Sequence, residues 1–188
     1  MWSFVTFVVD WFFSVISVSS VVKMVFCGEI GKMPTKKHHG RGHSPHQKKN
    51  FCFACGHSNP DGMRLKFSFD EAGKRFISRF RLSKRYTGPP GHAHGGIIAT
   101  ILDEAMGKVN KIRQVIALTR DIEIDYLKPV PLGKPLRVES WELRVRGRRH
   151  INTAEILNQG NEVLARGRGT FIAIDPQRMF AKHLRSGT

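Results

Sequence analysis

The apolar residues of the chain follow two patterns. One segment has the spacing of a helix, and most of the residues after it have the alternation of strands. Between residues 95 and 106 they recur every three or four positions, which predicts a helix with one face for a core. Alternation with period two predicts a hairpin and four further strands. The predicted strands are residues 64–69, 75–82, 115–127, 136–145, 150–157 and 163–174, and a short basic helix is expected around residues 179–184.

One early helix and about six strands place the chain in the α+β class. The turn-type sequences at residues 146–149 and 158–161 favour antiparallel pairing of the long strands. The apolar face of the predicted helix needs cover from water. We therefore expect an antiparallel sheet of about six strands wrapped round a long central helix. The helix residues that need this cover are Ile97, Ile98, Ile101 and Leu102.

The charge balance adds an expectation about partners. The 188 residues carry a net charge of +16, and residues 51–188 alone hold 24 Lys and Arg against 13 acidic residues, a net +11. The partner is therefore expected to be anionic: nucleic acid, an anionic membrane surface or a phosphate-bearing small molecule. Three cysteines are too few for a disulfide framework, which favours a reducing cytosol.

Composition divides the chain near residue 50. Residues 1–26 are mostly apolar, and three interpretations stay open: an extension upstream of a true start at Met24 or Met33, a membrane anchor, or a buried or partner-docking segment. Residues 32–50 are basic and almost without apolar residues, which predicts disorder. We expect an extension at 1–31, a linker at 32–50, a domain at 51–175 and a basic tail at 176–188. The expected location is cytoplasmic, or membrane-associated through residues 1–50 if the apolar segment is translated.

The candidate chemistry lies where a glycine-rich loop enters the predicted helix, in YTGPPGHAHGGIIATILDEAMG at residues 86–107. The first N–H groups of a helix have no partner within it and can hold negative charge on an oxygen. Gly95 supplies such an N–H, and Asp103 can act as base or nucleophile. Eight residues of helix span roughly 12 Å, too far to serve one carbonyl. Two antiparallel copies related by a two-fold axis would place Gly95 of one subunit opposite Asp103 of the other.

Four motifs together resemble a known family. They are CFACGHSNPDGMRL at residues 52–65, GPPGHAHGGIIATILDEAMG at 88–107, Thr119 with DIEIDYLKPVPLG after it, and RGRRH at 146–150. On these residues the chain resembles hotdog-fold acyl-CoA thioesterases of the PaaI-type, 4-hydroxybenzoyl-CoA thioesterase superfamily, and within it the branch of thioesterase superfamily member four. The resemblance implies a hotdog fold, a dimer or dimer of dimers, and hydrolysis of acyl-CoA thioesters without metal or cofactor.

The resemblance also implies roles for individual residues. Asp103 matches the catalytic carboxylate, as general base or as nucleophile, and the Gly95 N–H matches the group that polarises the thioester carbonyl. His94 is expected to shape the loop and to contact the acyl group, and the Thr119 hydroxyl to help hold the attacking water. Gly88 stands where many relatives have Asn, so no side-chain role is expected there.

Contacts with the CoA are implied for three residues. Arg148 and Arg149 match positions that contact CoA, and arginine suits phosphate geometry. Asp125 matches a position where relatives often have Asn in a nucleotide-side contact. The acyl chain is expected to lie between two subunits, and its length and type stay open.

Other features are assigned less specific roles. Cys52 and Cys55 form a single CxxC without a second pair, so we expect a structural role or a family trait and no metal site. Glu104 is expected to be solvated. Two alternative functions stay open: a hotdog hydratase or dehydratase using His92, and a non-catalytic basic scaffold binding through residues 1–50. Nucleic acid is not expected as the main target, because no aromatic-rich face or helix-turn-helix supports it.

Overall fold

The computed structural model describes residues 49–181. The predictions for residues 1–31, for nearly all of the linker at 32–50 and for the end of the tail at 176–188 lie outside these residues. Within residues 49–181, no helix combines the length and the apolar character needed to cross a bilayer.

One antiparallel sheet of six strands holds a single long helix, as the sequence predicts. The strand order is β1-β2-β4-β5-β6-β3, so β3 and β1 are the two edges. All five strand pairs are antiparallel. The elements in chain order are β1 (Ser68–Asp70), β2 (Arg75–Phe80), α1 (Gly95–Val109), β3 (Ile116–Tyr126), β4 (Leu136–Arg146), β5 (Arg149–Leu157), β6 (Val163–Ile174) and α2 (Pro176–Met179).

The core lies between α1 and the concave face of the sheet. Ile101 and Leu102 are fully buried, and they pack in one cluster with sheet residues such as Val138 and Phe171. Each buried side chain of this size contributes about 1.5–3 kcal/mol relative to exposure. Two polar groups of the sheet bind helix carbonyls: the Ser140 hydroxyl donates to Ala105 at 2.7 Å and the Asn152 amide to Met106 at 2.9 Å. These bonds fix the helix at one height over the sheet.

The first predicted strand is much shorter than the pattern indicates. Residues 64–67 are outside β1, because Arg64 takes a left-handed conformation with φ 53°. The N–H groups of Met63 and Leu65 donate to the carbonyls of Phe53 and Ala54, so this segment pairs with the preceding loop. The prediction for residues 64–67 is therefore wrong.

A short helix forms just before the predicted one, of which residues 182–184 lie outside the described residues. It starts at Pro176 and ends at Met179. The Asp175 carboxylate accepts from the N–H groups of Gln177 and Arg178, and proline occupies the first turn, so the capping chemistry sets the start.

A bulge in β3 decides which side chains face the helix. The register with β6 shifts between Thr119 and Asp121. Before the bulge Ala117 and Thr119 share the helix-facing side, and after it Ile122 and Ile124 do, because the extra residue reverses the alternation. Strict alternation would have turned either the Thr119 hydroxyl or the two isoleucines away from α1.

Candidate active site

His94 caps the start of α1 and leaves the Gly95 N–H free. The His94 backbone is extended (φ −65°, ψ 140°), and its ring Nδ1 accepts a hydrogen bond from the Gly96 N–H at 3.0 Å. The next two N–H groups, of Ile97 and Ile98, donate to the His94 carbonyl. Among the hydrogen bonds of residues 49–181, none uses the Gly95 N–H. The donor that the sequence singles out is thus available for an external oxygen.

The loop before α1 is packed too closely for a side chain at residue 88. A Cβ built on Gly88 would lie 2.7 Å from the His94 Cα. The His94 N–H donates to the Tyr86 carbonyl at 2.9 Å, which closes the loop. Asparagine would not fit at residue 88 without a backbone shift, in keeping with the expectation that Gly88 carries no side-chain role.

Asp103 and Thr119 come together at the middle of α1. The Thr119 hydroxyl donates to the Asp103 carboxylate at 2.8 Å. Burial raises the pKa of Asp103, the Thr119 hydrogen bond lowers it, and the nearby charge of Glu104 raises it again; the net shift is upward. Asp103 is a partly dehydrated carboxylate with one donor holding its orientation, an environment suited to a base or nucleophile.

A cavity of about 310 Å³ opens over this pair. It lies between α1 and the start of β3, and its lining combines two carboxylates with two lysines, of which Lys108 is paired with Glu104. The lining residues are Asp103, Glu104, Gly107, Lys108, Lys111, Val115, Ile116, Ala117, Thr119 and Phe171.

The expectation that Glu104 is solvated is wrong. Its side chain is 16% exposed and pairs with the Lys108 ammonium at 2.6 Å. Burial alone would raise the pKa of Glu104, but hydrogen bonds from Cys55 and Lys108 outweigh it and hold that pKa below its usual value. The sequence spacing of Glu104 and Lys108, four residues apart, is the signal that could have indicated the ion pair.

Gly95 and Asp103 lie at opposite ends of one helical stretch within a protomer. They are separated by eight residues of α1, roughly 12 Å of axis.

The neighbouring edge strand β3 is long, and two of its apolar side chains are exposed: Ile116 by 53% and Leu118 by 42%. An unpaired edge with exposed apolar residues is a surface on which another strand can pair.

Arg148, Arg149 and Asp125 are not brought to the Asp103 cavity within the described chain. The two arginines are exposed at the β4–β5 turn, where Arg148 lines a separate cavity together with Arg178. Asp125 is exposed on β3, opposite Arg166 of β6 in register. Their contacts with CoA stay predictions.

One contact at the helix start was not predicted from the sequence. The Tyr126 hydroxyl donates to the Gly95 carbonyl at 3.2 Å, so the end of β3 steadies the first residue of α1. The sequence shows that Tyr126 shares a face with Ile122 and Ile124, but not that this face reaches Gly95.

Residues 90–165 match the model of a family described as the thioesterase superfamily. The chain is 30% identical over 118 residues to acyl-coenzyme A thioesterase THEM4 of Rattus norvegicus. The aligned region covers 62% of this chain and 51% of the relative. The chain thus spans about half the length of the curated relatives it matches.

Solved structures share the fold of this domain. Protein RHA08564, a thioesterase superfamily protein, superposes with a TM-score of 0.62 at 26% identity, over 65% of this chain and 60% of that one. The BH2602 protein from Bacillus halodurans, solved with CoA, gives a TM-score of 0.53 at 27% identity over 60% of this chain and 75% of its own. These comparisons confirm the resemblance predicted from the motifs: residues 90–165 match the thioesterase superfamily model, and the domain has the hotdog fold.

Proposed function

We propose that this protein hydrolyses acyl-CoA thioesters to a free acid and CoA, at sites formed between two subunits. The observation that carries the proposal is the arrangement along α1. An N–H without a partner among the described residues begins the helix at Gly95, and a half-buried carboxylate oriented by Thr119 lies eight residues on. These are the two groups that acyl transfer to water needs.

The chemistry follows from the two groups. The thioester carbonyl oxygen accepts from the Gly95 N–H, so negative charge that develops on it is stabilised. Asp103 of the partner subunit takes a proton from water as the water oxygen attacks the carbonyl carbon. The C–S bond then breaks, and the CoA sulfur leaves as a thiolate and is protonated. Direct attack by Asp103 gives an acyl anhydride, which water then hydrolyses, and both routes use the same contacts.

The proposed dimer would form along the edge strand β3. Pairing two β3 edges about a two-fold axis would continue the sheet and set the two copies of α1 antiparallel on one side. Small residues on α1, including Ala99, Thr100 and Gly107, leave room for an acyl chain between the subunits. A dimer of dimers remains part of the same prediction.

The choice of CoA as carrier is supported by relatives and by charge. The rat relative is named an acyl-coenzyme A thioesterase, and the Bacillus halodurans structure contains CoA. The domain is strongly basic, and Lys111 lines the Asp103 cavity. Arg148, Arg149 and Asp125 are the proposed contacts with the nucleotide part.

The alternative functions have less support. The His92 ring Nδ1 lies 2.9 Å from the Pro90 carbonyl, and no acidic residue among 49–181 forms a hydrogen bond with His92. A hydratase site built on His92 is therefore not favoured. The scaffold hypothesis and the membrane-associated location depend on residues 1–50, nearly all outside the described range, and stay predictions, as does the cytoplasmic location.

The test replaces the Asp103 carboxylate with an amide of the same shape. In Asp103→Asn we expect hydrolysis of a panel of acyl-CoAs, followed by thiol detection, to fall about 10²- to 10⁴-fold, the usual contribution of a positioned base. The dimer measured by size exclusion should persist. Asp70→Asn, an exposed carboxylate at the opposite edge of the sheet, is the matched control and should keep full activity. Near-normal turnover in Asp103→Asn would contradict the proposal.

A further inference from the structure

The CxxC motif meets a carboxylate from the middle of α1. The sulfur atoms of Cys52 and Cys55 and a carboxylate oxygen of Glu104 all lie within 4.8 Å of one another. The Cys52 Sγ is 3.7 Å from the Glu104 Oε2. Glu104 is 52 residues from Cys52 in sequence, so only the fold brings the three groups together.

These distances are close to those of a tetrahedral zinc site. Zn–S bonds of about 2.3 Å and Zn–O bonds of about 2.0–2.2 Å put neighbouring ligand atoms roughly 3.6–3.8 Å apart. The Cys52–Glu104 separation already has this value. The remaining pairs need a contraction of at most about 1 Å, and Cys52 is exposed and can turn.

The loop that carries the cysteines is built before any ion binds. The Gly56 N–H donates to the Cys52 carbonyl at 2.8 Å, and a Cβ on Gly56 would lie only 2.4 Å from that oxygen. Asn50 and Ser58 bind each other across the base of the loop. The buried Ala54 anchors the loop in the domain. Little ordering is left to oppose ligand binding.

Lys108 supplies the positive charge in the apo site. Its ammonium lies 3.1 Å from the Cys55 sulfur and 2.6 Å from Glu104. Zn²⁺ with two thiolates and one carboxylate carries a net charge of −1, so the Lys108 ammonium would balance the loaded site from beside it. It also lies 5.7 Å from the centre of the Phe67 ring, a second favourable position for a cation.

We propose that Cys52, Cys55 and Glu104 form a zinc-binding site that joins the N-terminal loop of the domain to α1, with water as the fourth ligand. Two soft sulfur donors with one oxygen donor favour zinc over magnesium or calcium. A redox function of the CxxC is less favoured. A redox CxxC is expected near a βαβ unit, whereas all strand pairs of the described residues are antiparallel.

Glu104 follows Asp103 in sequence and lines the same cavity, but zinc binding requires neither Asp103 nor Thr119. The two carboxylates also differ in their partners, since Asp103 binds Thr119 on β3 and Glu104 binds Lys108 and the cysteine loop. The metal is therefore expected to hold the loop on the helix, and binding can be measured without any substrate.

The experiment is a cobalt titration of the full-length, reduced protein after treatment with a chelator. We expect one equivalent of Co²⁺ to give a thiolate-to-cobalt charge-transfer band and tetrahedral visible bands, and Zn²⁺ to displace it. The histidines at residues 38–46 can also bind cobalt, but they produce no thiolate band. Zn²⁺ should in addition protect both thiols from alkylation.

Variants separate the three ligands from other sites. Cys52→Ser and Cys55→Ser should each lose about half of the charge-transfer intensity, since one of two thiolates is removed. Glu104→Gln should keep the band but bind at least about tenfold more weakly, because loss of even an outer partner of a metal ligand costs 10- to 100-fold. Cys27→Ser is the matched thiol control and should match the wild type.

Two results would overturn the proposal. One is absence of a thiolate band in the reduced wild-type protein at equimolar and excess Co²⁺. The other is loss of the band in Cys27→Ser with no change in Cys52→Ser. Circular dichroism of each apo variant checks that it is folded, and because Cys52 is exposed, its substitution is expected to leave the domain intact.

Discussion

Replacing Gly95 with proline removes one N–H from the start of α1 and leaves the rest of the helix able to form. Residue 95 is the first helical position, where proline is well tolerated because its φ is already close to helical. His94 before it has ψ 140°, the extended conformation that a following proline requires. A Cβ at residue 95 would be 3.7 Å from the Tyr126 ring, an ordinary contact. The substitution therefore deletes the proposed oxyanion donor with little strain.

The expected effect is on turnover. Loss of one donor of this kind costs about 2.7–4 kcal/mol of transition-state stabilisation, or about 10²- to 10³-fold in kcat. The assay is release of CoA from a saturating acyl-CoA, with thiol detection. Thermal unfolding of the variant should occur within a few degrees of wild type, because no hydrogen bond among residues 49–181 uses the Gly95 N–H.

Gly95→Ala is the matched control. It adds the same Cβ but keeps the N–H, so its kcat should stay within a few-fold of wild type, while proline lowers it by orders of magnitude. Equal kcat values for the alanine and proline variants, with both dimeric and folded, would refute the assignment of this N–H to the oxyanion site.

Three further substitutions address the base, the dimer and the loop. Thr119→Val removes the hydrogen bond that lowers the pKa of Asp103, so that pKa should rise and the acidic limb of kcat/KM should move to higher pH. Replacing Ile116 and Leu118 together with lysine puts like charges on the β3 edge of both copies and should weaken dimerisation at least about tenfold, measured by sedimentation. Gly88→Ala should lower stability by about 1–3 kcal/mol through overpacking, seen by denaturant unfolding.

Each of these has a counterpart that should behave like wild type. Thr119→Ser keeps the hydroxyl and should restore the pH profile. Leu143→Lys charges an exposed leucine on β4 and should leave the dimer unchanged. In Gly160→Ala, at the turn before β6, the nearest atom to the added Cβ is a side-chain atom at 3.4 Å. This substitution should lower stability little. A counterpart that shows the same defect as its partner variant would contradict the local explanation.

Long periodic segments were predictable from the sequence. The bulge that reverses the alternation of side chains within one of them, β3, was not. The helix and the three last strands lie within a few residues of their predicted bounds, because each has enough residues for its period to stand out. The bulge after Thr119 has no marker in the sequence. It is fixed by the need to turn Thr119 and Ile122 to the same helix, which is a tertiary requirement.

Short elements and distant contacts depended on the fold. Residues 64–67 have the alternation of a strand, but the backbone of Phe53 and Ala54 takes up their N–H groups. The Cys52–Glu104 contact joins groups more than fifty residues apart. The sequence motif therefore reveals only two of the proposed metal ligands, the cysteines. The third, Glu104, is recognised only because α1 packs beside the loop in the fold.

The most direct test of the central claim is to combine two inactive variants. If each site takes Gly95 from one subunit and Asp103 from the other, an Asp103→Asn subunit paired with a Gly95→Pro subunit regains one intact site. Random exchange of equal amounts makes half of the dimers mixed, so about one quarter of wild-type activity should return under two-fold symmetry. The subunits are exchanged by partial denaturation and refolding, and activity is then measured. We expect this recovery of activity in the mixture. Activity that stays at the level of the separate variants, with mixed dimers demonstrated by distinct tags, would contradict a site shared between subunits.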